Sequence, residues 1–352
     1  MAARQGVPVL GTQGSPYLEA GTWQFNYGYR YQKSDRHFTG SHEDKERERE
    51  HSQVINKVHL MDFGLTYAFT KRVNGSVSLP VLFATRSSPV RNAQREVIDR
   101  DLQRAEGIGD MVIQGSGWIL DPEEFLKGNI GLSLGVKLPT GQDDVRHKAT
   151  VRTGNVFTRE ERTADQSIQP GDGSFGAILG MQGFYNFFEK FTGFAQGSYL
   201  LNPRATNGVP TFRTGSGEQE MSVTDAYLAK VGLARPIPFL EQYGLSLSLA
   251  ARLEGVPVRD LIGSSKGFRR PGYAIAIEPG IAWSWKGHTL GVSAPVALYR
   301  NRQRSVPDDR AEPQRHGDAA FADYLILVSY SWAFGGPGQS SPSASAPVER
   351  LH

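Results

Sequence analysis

An alternation of apolar and polar residues with a period of two runs through nearly the whole chain and constrains the fold most. Successive side chains of a strand point to opposite faces, so each such run makes one apolar and one polar face. Trp23, Phe25, Tyr27, Tyr29 and Tyr31 alternate with Gln24, Asn26, Gly28, Arg30 and Gln32. The same pattern recurs from Phe63 to Phe69, Ile130 to Leu138, Tyr243 to Leu253 and Tyr324 to Phe334. Counting every run predicts twelve strands, near 21–34, 54–69, 73–86, 108–120, 128–138, 174–187, 191–201, 223–235, 242–254, 272–285, 288–301 and 321–334.

The predicted connections have two lengths. Short ones fall at 70–72, 121–127, 188–190, 236–241 and 286–287. Long, charged ones fall at 35–53, 87–107, 139–173, 202–222, 255–271 and 302–320, and the two kinds alternate strictly. An even strand count with short turns at one rim and long loops at the other predicts an all-β fold: a transmembrane antiparallel up-and-down β-barrel with periplasmic turns and extracellular loops. A water-soluble sheet protein would leave faces of Leu, Ile, Val and aromatic residues uncovered. No run of 18 apolar residues offers a transmembrane helix.

Aromatic residues give an independent check. Trp23, Phe25, Tyr67, Phe69, Tyr185, Phe187, Tyr243, Trp283, Trp285, Trp332 and Phe334 all lie beside a short turn or a chain end. They are expected to form one periplasmic girdle where the apolar band meets the headgroups. The barrel is expected to span 20–334, with an N-terminal periplasmic segment at 1–19 and a Ser/Pro/Ala-rich disordered tail at 335–352. Met1 to Ala20 has no basic stretch followed by an apolar core, so a secretion signal is taken to have been removed or to lie upstream.

Charge and composition narrow the function. The chain has no cysteine, which excludes disulfides and thiolate metal sites. A net charge of +3 with acids and bases interspersed is no nucleic-acid footprint. Charge on the lipid face costs a few kcal/mol at midplane, so Arg30, Asp62, Asp110, Lys137, Lys230, Arg252, Glu254 and Glu278 are assigned to the lumen. Both signs occur there, so no ion preference is indicated. A hairpin turning near 123–124 places Asp110 opposite Lys137 as an inward ion pair at the extracellular end.

A barrel hydrolase needs a Ser beside a His base and a third orienting group. Of the histidines at 37, 42, 51, 59, 147, 288, 316 and 352, most sit in loops, and none has such neighbours in sequence. His37, His42 and His51 flank an acidic-basic run in the first long loop, but their spacing is irregular for a metal site. Gly107-x-Gly109 lacks the third glycine and the helix of a dinucleotide fingerprint. No catalytic residue, metal or cofactor is assigned.

Three motifs occur in order: Gly107-Ile108-Gly109-Asp110, Lys137-Leu138-Pro139-Thr140-Gly141 and Gly171-Asp172-Gly173-Ser174. With these the chain resembles the outer-membrane transporter-like proteins of the meta-pathway of phenol degradation, most clearly over 105–185. Barrels of that kind commonly end at their last aromatic, whereas here 18 residues follow Phe334. The resemblance implies a barrel with a transport role and brings no functional residues with it. The expected function is passive uptake of small solutes, hydrophobic or aromatic ones among them, by a monomer contacting outer-membrane lipids and lipopolysaccharide. The alternative is a closed barrel with a structural or adhesive role through its extracellular loops; a barrel this narrow can be plugged by its own side chains or by the 139–173 loop.

Overall fold

A computed structural model describes residues 17–154, 156–188 and 190–336. In chain order its strands are β1 (Trp23–Thr39), β2 (His42–Glu43), β3 (Ile55–Ala68), β4 (Val73–Arg91), β5 (Val97–Ile108), β6 (Val112–Trp118), β7 (Gly128–Lys137), β8 (Arg146–Thr153) and β9 (Val156–Thr163). They continue as β10 (Gly176–Phe187), β11 (Phe191–Leu201), β12 (Thr206–Pro210), β13 (Glu220–Ser222), β14 (Ala226–Pro236), β15 (Leu245–Val256), β16 (Gly272–Trp285), β17 (His288–Ser293), β18 (Val296–Arg302) and β19 (Ala319–Phe334). Each wall pairs with its neighbour in sequence, and β19 pairs with β1 from Trp23↔Phe334 to Phe38↔Ala319. The sheet therefore closes on itself as a twelve-walled antiparallel barrel, in which β5 with β6 and β17 with β18 each make one wall.

Closure explains the burial pattern. Leu132, Leu134, Leu247, Leu249 and Ile281 face outward and are exposed, while their neighbours Ser133, Gly135, Ser248 and Gly280 face the lumen. An uncovered belt of this kind is stable against lipid chains and not against water. The chain is a transmembrane β-barrel. The only helices among the described residues are single turns in the extracellular loops, α1 (Glu46–Arg49) and α2 (Val306–Arg310), and two short 3₁₀ turns.

The two interrupted walls have one cause. In a strand, a residue's N–H and C=O point to the same neighbour. Pro80 of β4 accepts a bond from Gly109 N at 2.7 Å, and Pro279 of β16 accepts one from Ala294 N at 3.0 Å. Having no N–H, neither proline can return the bond, so the ladder opens opposite each. Beside Pro80 a bulge results: Ser78 to Val81 is three steps, and the facing Ile108 to Val112 is four.

The extracellular connections differ from the expected loops. Residues 87–107, expected as a loop, carry β4 on to Arg91 and begin β5 at Val97, so this hairpin rises above the membrane band. Segment 139–173 holds the β8–β9 hairpin, and 202–222 holds the β12–β13 pair. β1 likewise runs past the expected 34 to Thr39. Most of the expected N-terminal segment and C-terminal tail, 1–16 and 337–352, lies outside the described residues.

Candidate functional site

The three motifs meet at the break in the β5/β6 wall. The Asp110 carboxylate accepts bonds from Gly141 N and Asp172 N, both at 3.0 Å. Thr140 Oγ1 donates to Gly109 O at 2.9 Å and accepts from Met111 N at 2.8 Å. Gly141 lies against backbone: a Cβ there would fall 2.8 Å from both the Gly109 carbonyl carbon and the Gly171 Cα. Together these contacts pin both ends of the 139–173 segment to one strand break.

The expected Asp110–Lys137 pair is only partly right. Lys137 faces Val112 in the ladder, two residues from the expected register. Its Nζ stands 3.9 Å from Asp110, and its close partner is Asp172. The turn decides this: Glu124 N and Phe125 N both bond back to Asp121 O, at 3.2 and 2.9 Å, which moves the hairpin centre. A slip of two preserves which face each side chain takes, so alternation cannot detect it.

From this anchor the loop turns into the extracellular mouth, and its inner tip is a 3₁₀ turn over Gln166–Ile168 whose buried residue is Ile168. Ile168 is fully buried against Val58, Leu60, Leu82, Ala84 and Ala105 on the inner faces of β3, β4 and β5. Asp165 caps the turn, accepting from Ser167 N at 3.0 Å and Ser167 Oγ at 2.7 Å. The same carboxylate receives both terminal nitrogens of Arg270, at 2.8 and 2.7 Å, and stands 3.4 Å from Arg86 of β4. Burial pushes the Asp165 carboxyl up, but Arg270 and Arg86 outweigh it and hold it well below the usual carboxylate range.

Beneath this tip lies a cavity of about 630 Å³. Val58, Leu60, Leu82, Ile178, Leu200 and Val256 make one part of its wall, and arginines from the walls and loops make another. Arg30 lines this cavity and belongs to a belt of charge. Arg30 Nη2 reaches Glu254 at 2.7 Å, Arg252 bonds Glu254 at 2.8 Å and Glu278 at 3.3 Å, and Lys230 bonds Glu278 at 2.6 Å. Arg30 also lines a smaller cavity of about 80 Å³ on the periplasmic side, together with Asp62. Nearer the periplasm Trp118, Phe184 and Phe194 point inward and are buried. Tyr17 packs edge-on against Trp118 and Phe184 at 5.1 and 5.8 Å, and its hydroxyl accepts from Asn129 Nδ2 at 3.0 Å.

Of the eight charges assigned to the lumen, Arg30, Lys230, Arg252, Glu254 and Glu278 are thus gathered in the belt. Asp110 and Lys137 stand together at the wall break, and Asp62 lines the smaller cavity with Arg30, Lys230, Arg252 and Glu278. The aromatic residues named from sequence occupy the short-turn rim, where Trp23 packs on Tyr67 at 4.7 Å and Trp332 on Phe334 at 4.7 Å. Phe125, Phe188 and Phe239 lie exposed in the turns themselves and extend this rim.

His59 and His288 each bond a tyrosine hydroxyl, of Tyr29 and Tyr330, both at 2.8 Å. His37 contacts Asp318 at 2.5 Å and Val54 N at 2.8 Å. Among the described residues no group of three or more acidic or histidine side chains converges as a metal site. Alternation places Arg86 on the inward face at the end of the predicted strand 73–86 but gives no sign of Asp165, Arg213 or Arg270. The only available signal was the length of the 139–173 loop.

No protein-family model matches the chain, and no curated protein does. Among solved structures, it is similar to an outer membrane channel from Pseudomonas putida F1, with a TM-score of 0.57, 11% identity, and coverage of 94% of this chain and 100% of that one. The fold is that of an outer-membrane barrel. More distant likenesses include the Pseudomonas putida toluene transporter TodX, with a TM-score of 0.45, 9% identity, and coverage of 92% and 96%. The translocator domain of the Neisseria meningitidis autotransporter NalP aligns with a TM-score of 0.45, 12% identity, and coverage of 91% and 90%.

Proposed function

We propose that the chain is an outer-membrane channel for passive entry of small solutes with an apolar body, hydrophobic and aromatic compounds among them. The observation that carries this reading is the cavity of about 630 Å³ in the extracellular half of the lumen, walled in part by aliphatic side chains. A lumen serving only as a sealed support gains nothing from such a chamber, whereas binding pockets of this size and mixed lining suit small ligands. The barrel's likeness in fold to a bacterial outer membrane channel supports the same reading. A link to aromatic catabolism rests on the resemblance of the three motifs.

In this conformation the Arg30–Glu254 belt lies across the path, so transport requires its ion pairs to exchange or separate. The test has two arms: single-channel current of the purified chain in planar bilayers, and initial uptake of labelled toluene by cells with and without it. Transport predicts faster toluene uptake and discrete, small conductance steps. The belt and the folded-in loop favour a second reading, a closed barrel acting through its extracellular loops. Absent current together with unchanged uptake would select it.

A further inference from the structure

The cations around the large cavity are not evenly neutralised. Arg30, Arg47, Lys137 and Arg269 each have a carboxylate in direct contact: Glu254, Asp318, Asp172 and Asp260. Arg86 and Arg270 share one acid, Asp165, which Arg270 grips with both terminal nitrogens, and Arg213, which feels Glu218 more than Asp165, has no carboxylate in contact. The next carboxylates are taken, Glu218 by Arg315 at 3.4 Å and Asp318 by His37 and Arg47. With Glu218 and Asp318 counted against their own partners, Arg86, Arg213 and Arg270 stand against Asp165 alone, two positive charges in surplus in a largely desolvated place.

The geometry concentrates that surplus. Arg213 and Arg270 both stand 4.5 Å from the ring centre of Phe268, which holds the two guanidiniums close in spite of their charge. Arg86 is buried to within 7% of full exclusion. Among the described residues, the buried Nε atoms of Arg86 and Arg213 have no hydrogen-bond acceptor. Burial first, and then the charge of Arg270, push the Arg213 guanidinium down from its ordinary value. All three arginines line the cavity that Leu60, Leu82 and Ile178 wall with apolar surface. A buried guanidinium short of acceptors is costly, and an anion that reaches its terminal nitrogens offsets part of that cost.

We propose that this cavity binds a small organic anion, a carboxylate on an apolar body, with the carboxylate against Arg213, Arg86 and Arg270 and the body against the aliphatic wall. The proposal deepens the channel reading by naming the solute class the chamber retains. Arg213 comes from the loop between β12 and β13, so its replacement leaves the barrel walls and the Asp165–Arg270 pair intact.

The test is isothermal titration of the detergent-solubilised full chain with benzoate and with its neutral isostere benzamide. Benzoate is expected to bind at least about tenfold more tightly. Arg213→Gln is expected to remove roughly that preference while leaving benzamide binding unchanged, together with the gel mobility shift on heating that marks a folded barrel, and Arg213→Lys to keep part of it. Equal affinity for the two ligands overturns the proposal, as does an unchanged benzoate affinity in a folded Arg213→Gln protein. Chloride competing as strongly as benzoate overturns the role of the aliphatic wall. Benzoate binding without toluene uptake or current sinks the channel reading and keeps the site; uptake without a benzoate preference does the reverse.

Discussion

Replacing Asp165 by alanine tests whether the loop tip is held in the mouth by charge. In the folded protein its carboxylate is fully buried and serves two guanidiniums and the 3₁₀ cap at once. Deleting one side of a buried ion pair costs about 3–5 kcal/mol, because the partners stay buried and unpaired. At 1.4 kcal/mol per decade this shifts the docking equilibrium of the tip by roughly 10²- to 4 × 10³-fold. What remains is the burial of Ile168, worth about 1.5–3 kcal/mol, with the bond from the residue-165 backbone N to Gln103 Oε1 at 2.9 Å and the bond from Gln166 Nε2 to Ser222 O. The base of the loop, clamped at Asp110, is not touched by the change.

Hydrogen exchange of the Ala164 and Ser167–Ile168 amides, followed by mass spectrometry in detergent, reads this directly. Protection there is expected to fall by about two orders of magnitude or more while the barrel strands keep theirs. Removing the stranded cations as well, in Asp165→Leu with Arg86→Met and Arg270→Met, is expected to recover most of the loss. Wild-type protection in Asp165→Ala would refute the reasoning. The pH dependence has a definite sign. A carboxyl held below its unfolded value of about 3.9 contributes stability that is complete above that pH and is lost as pH falls through the folded value. Tip protection, corrected for intrinsic exchange, is therefore flat from pH 7 to about pH 4 and declines only below.

Three further perturbations probe the other elements. Leu249→Arg places a charge at the outward middle of β15 and is expected to cost about 2–4 kcal/mol, read as loss of the heat-modifiable band on a gel; a fully folded variant contradicts the lipid-facing assignment. Gly141→Ala drives a methyl group into the backbone of Gly109 and Gly171, so the loop base should lose about 1–3 kcal/mol and exchange faster near Thr140 and Asp172; unchanged exchange there would show that the three motifs do not act as a clamp. Glu254→Gln leaves Arg30 and Arg252 short of negative charge, so any current should turn more anion-selective; an unaltered reversal potential in a salt gradient counts against the belt as the constriction.

The walls were legible in the sequence because lipid imposes one requirement on every strand. Leu247, Leu249, Ile281 and Trp283 meet the same solvent wherever they stand, so their pattern repeats and can be counted. Above the membrane that requirement stops. In β5 the inward residues Asp101, Gln103 and Ala105 alternate with outward Leu102, Arg104 and Glu106, a strand whose polarity runs against the pattern and which reads as loop. Register was half legible, since an even slip leaves every face unchanged and only the turn after Trp118 sets the pairing of Lys137 with Val112.

What crosses the lumen was not legible, for a different physical reason. Exclusion of charge from lipid tells that Arg30 and Glu254 both point inward, but they are 224 residues apart and meet only because β19 closes on β1. Arg86, Asp165 and Arg270 come from a wall, an inserted loop and the approach to another wall, and no local spacing relates them. The residues that occlude this barrel are therefore the ones whose partners depend on closure. A substitution at one of them should change gating, binding or loop docking while leaving insertion in the membrane intact, whereas a substitution on the outer face should do the opposite.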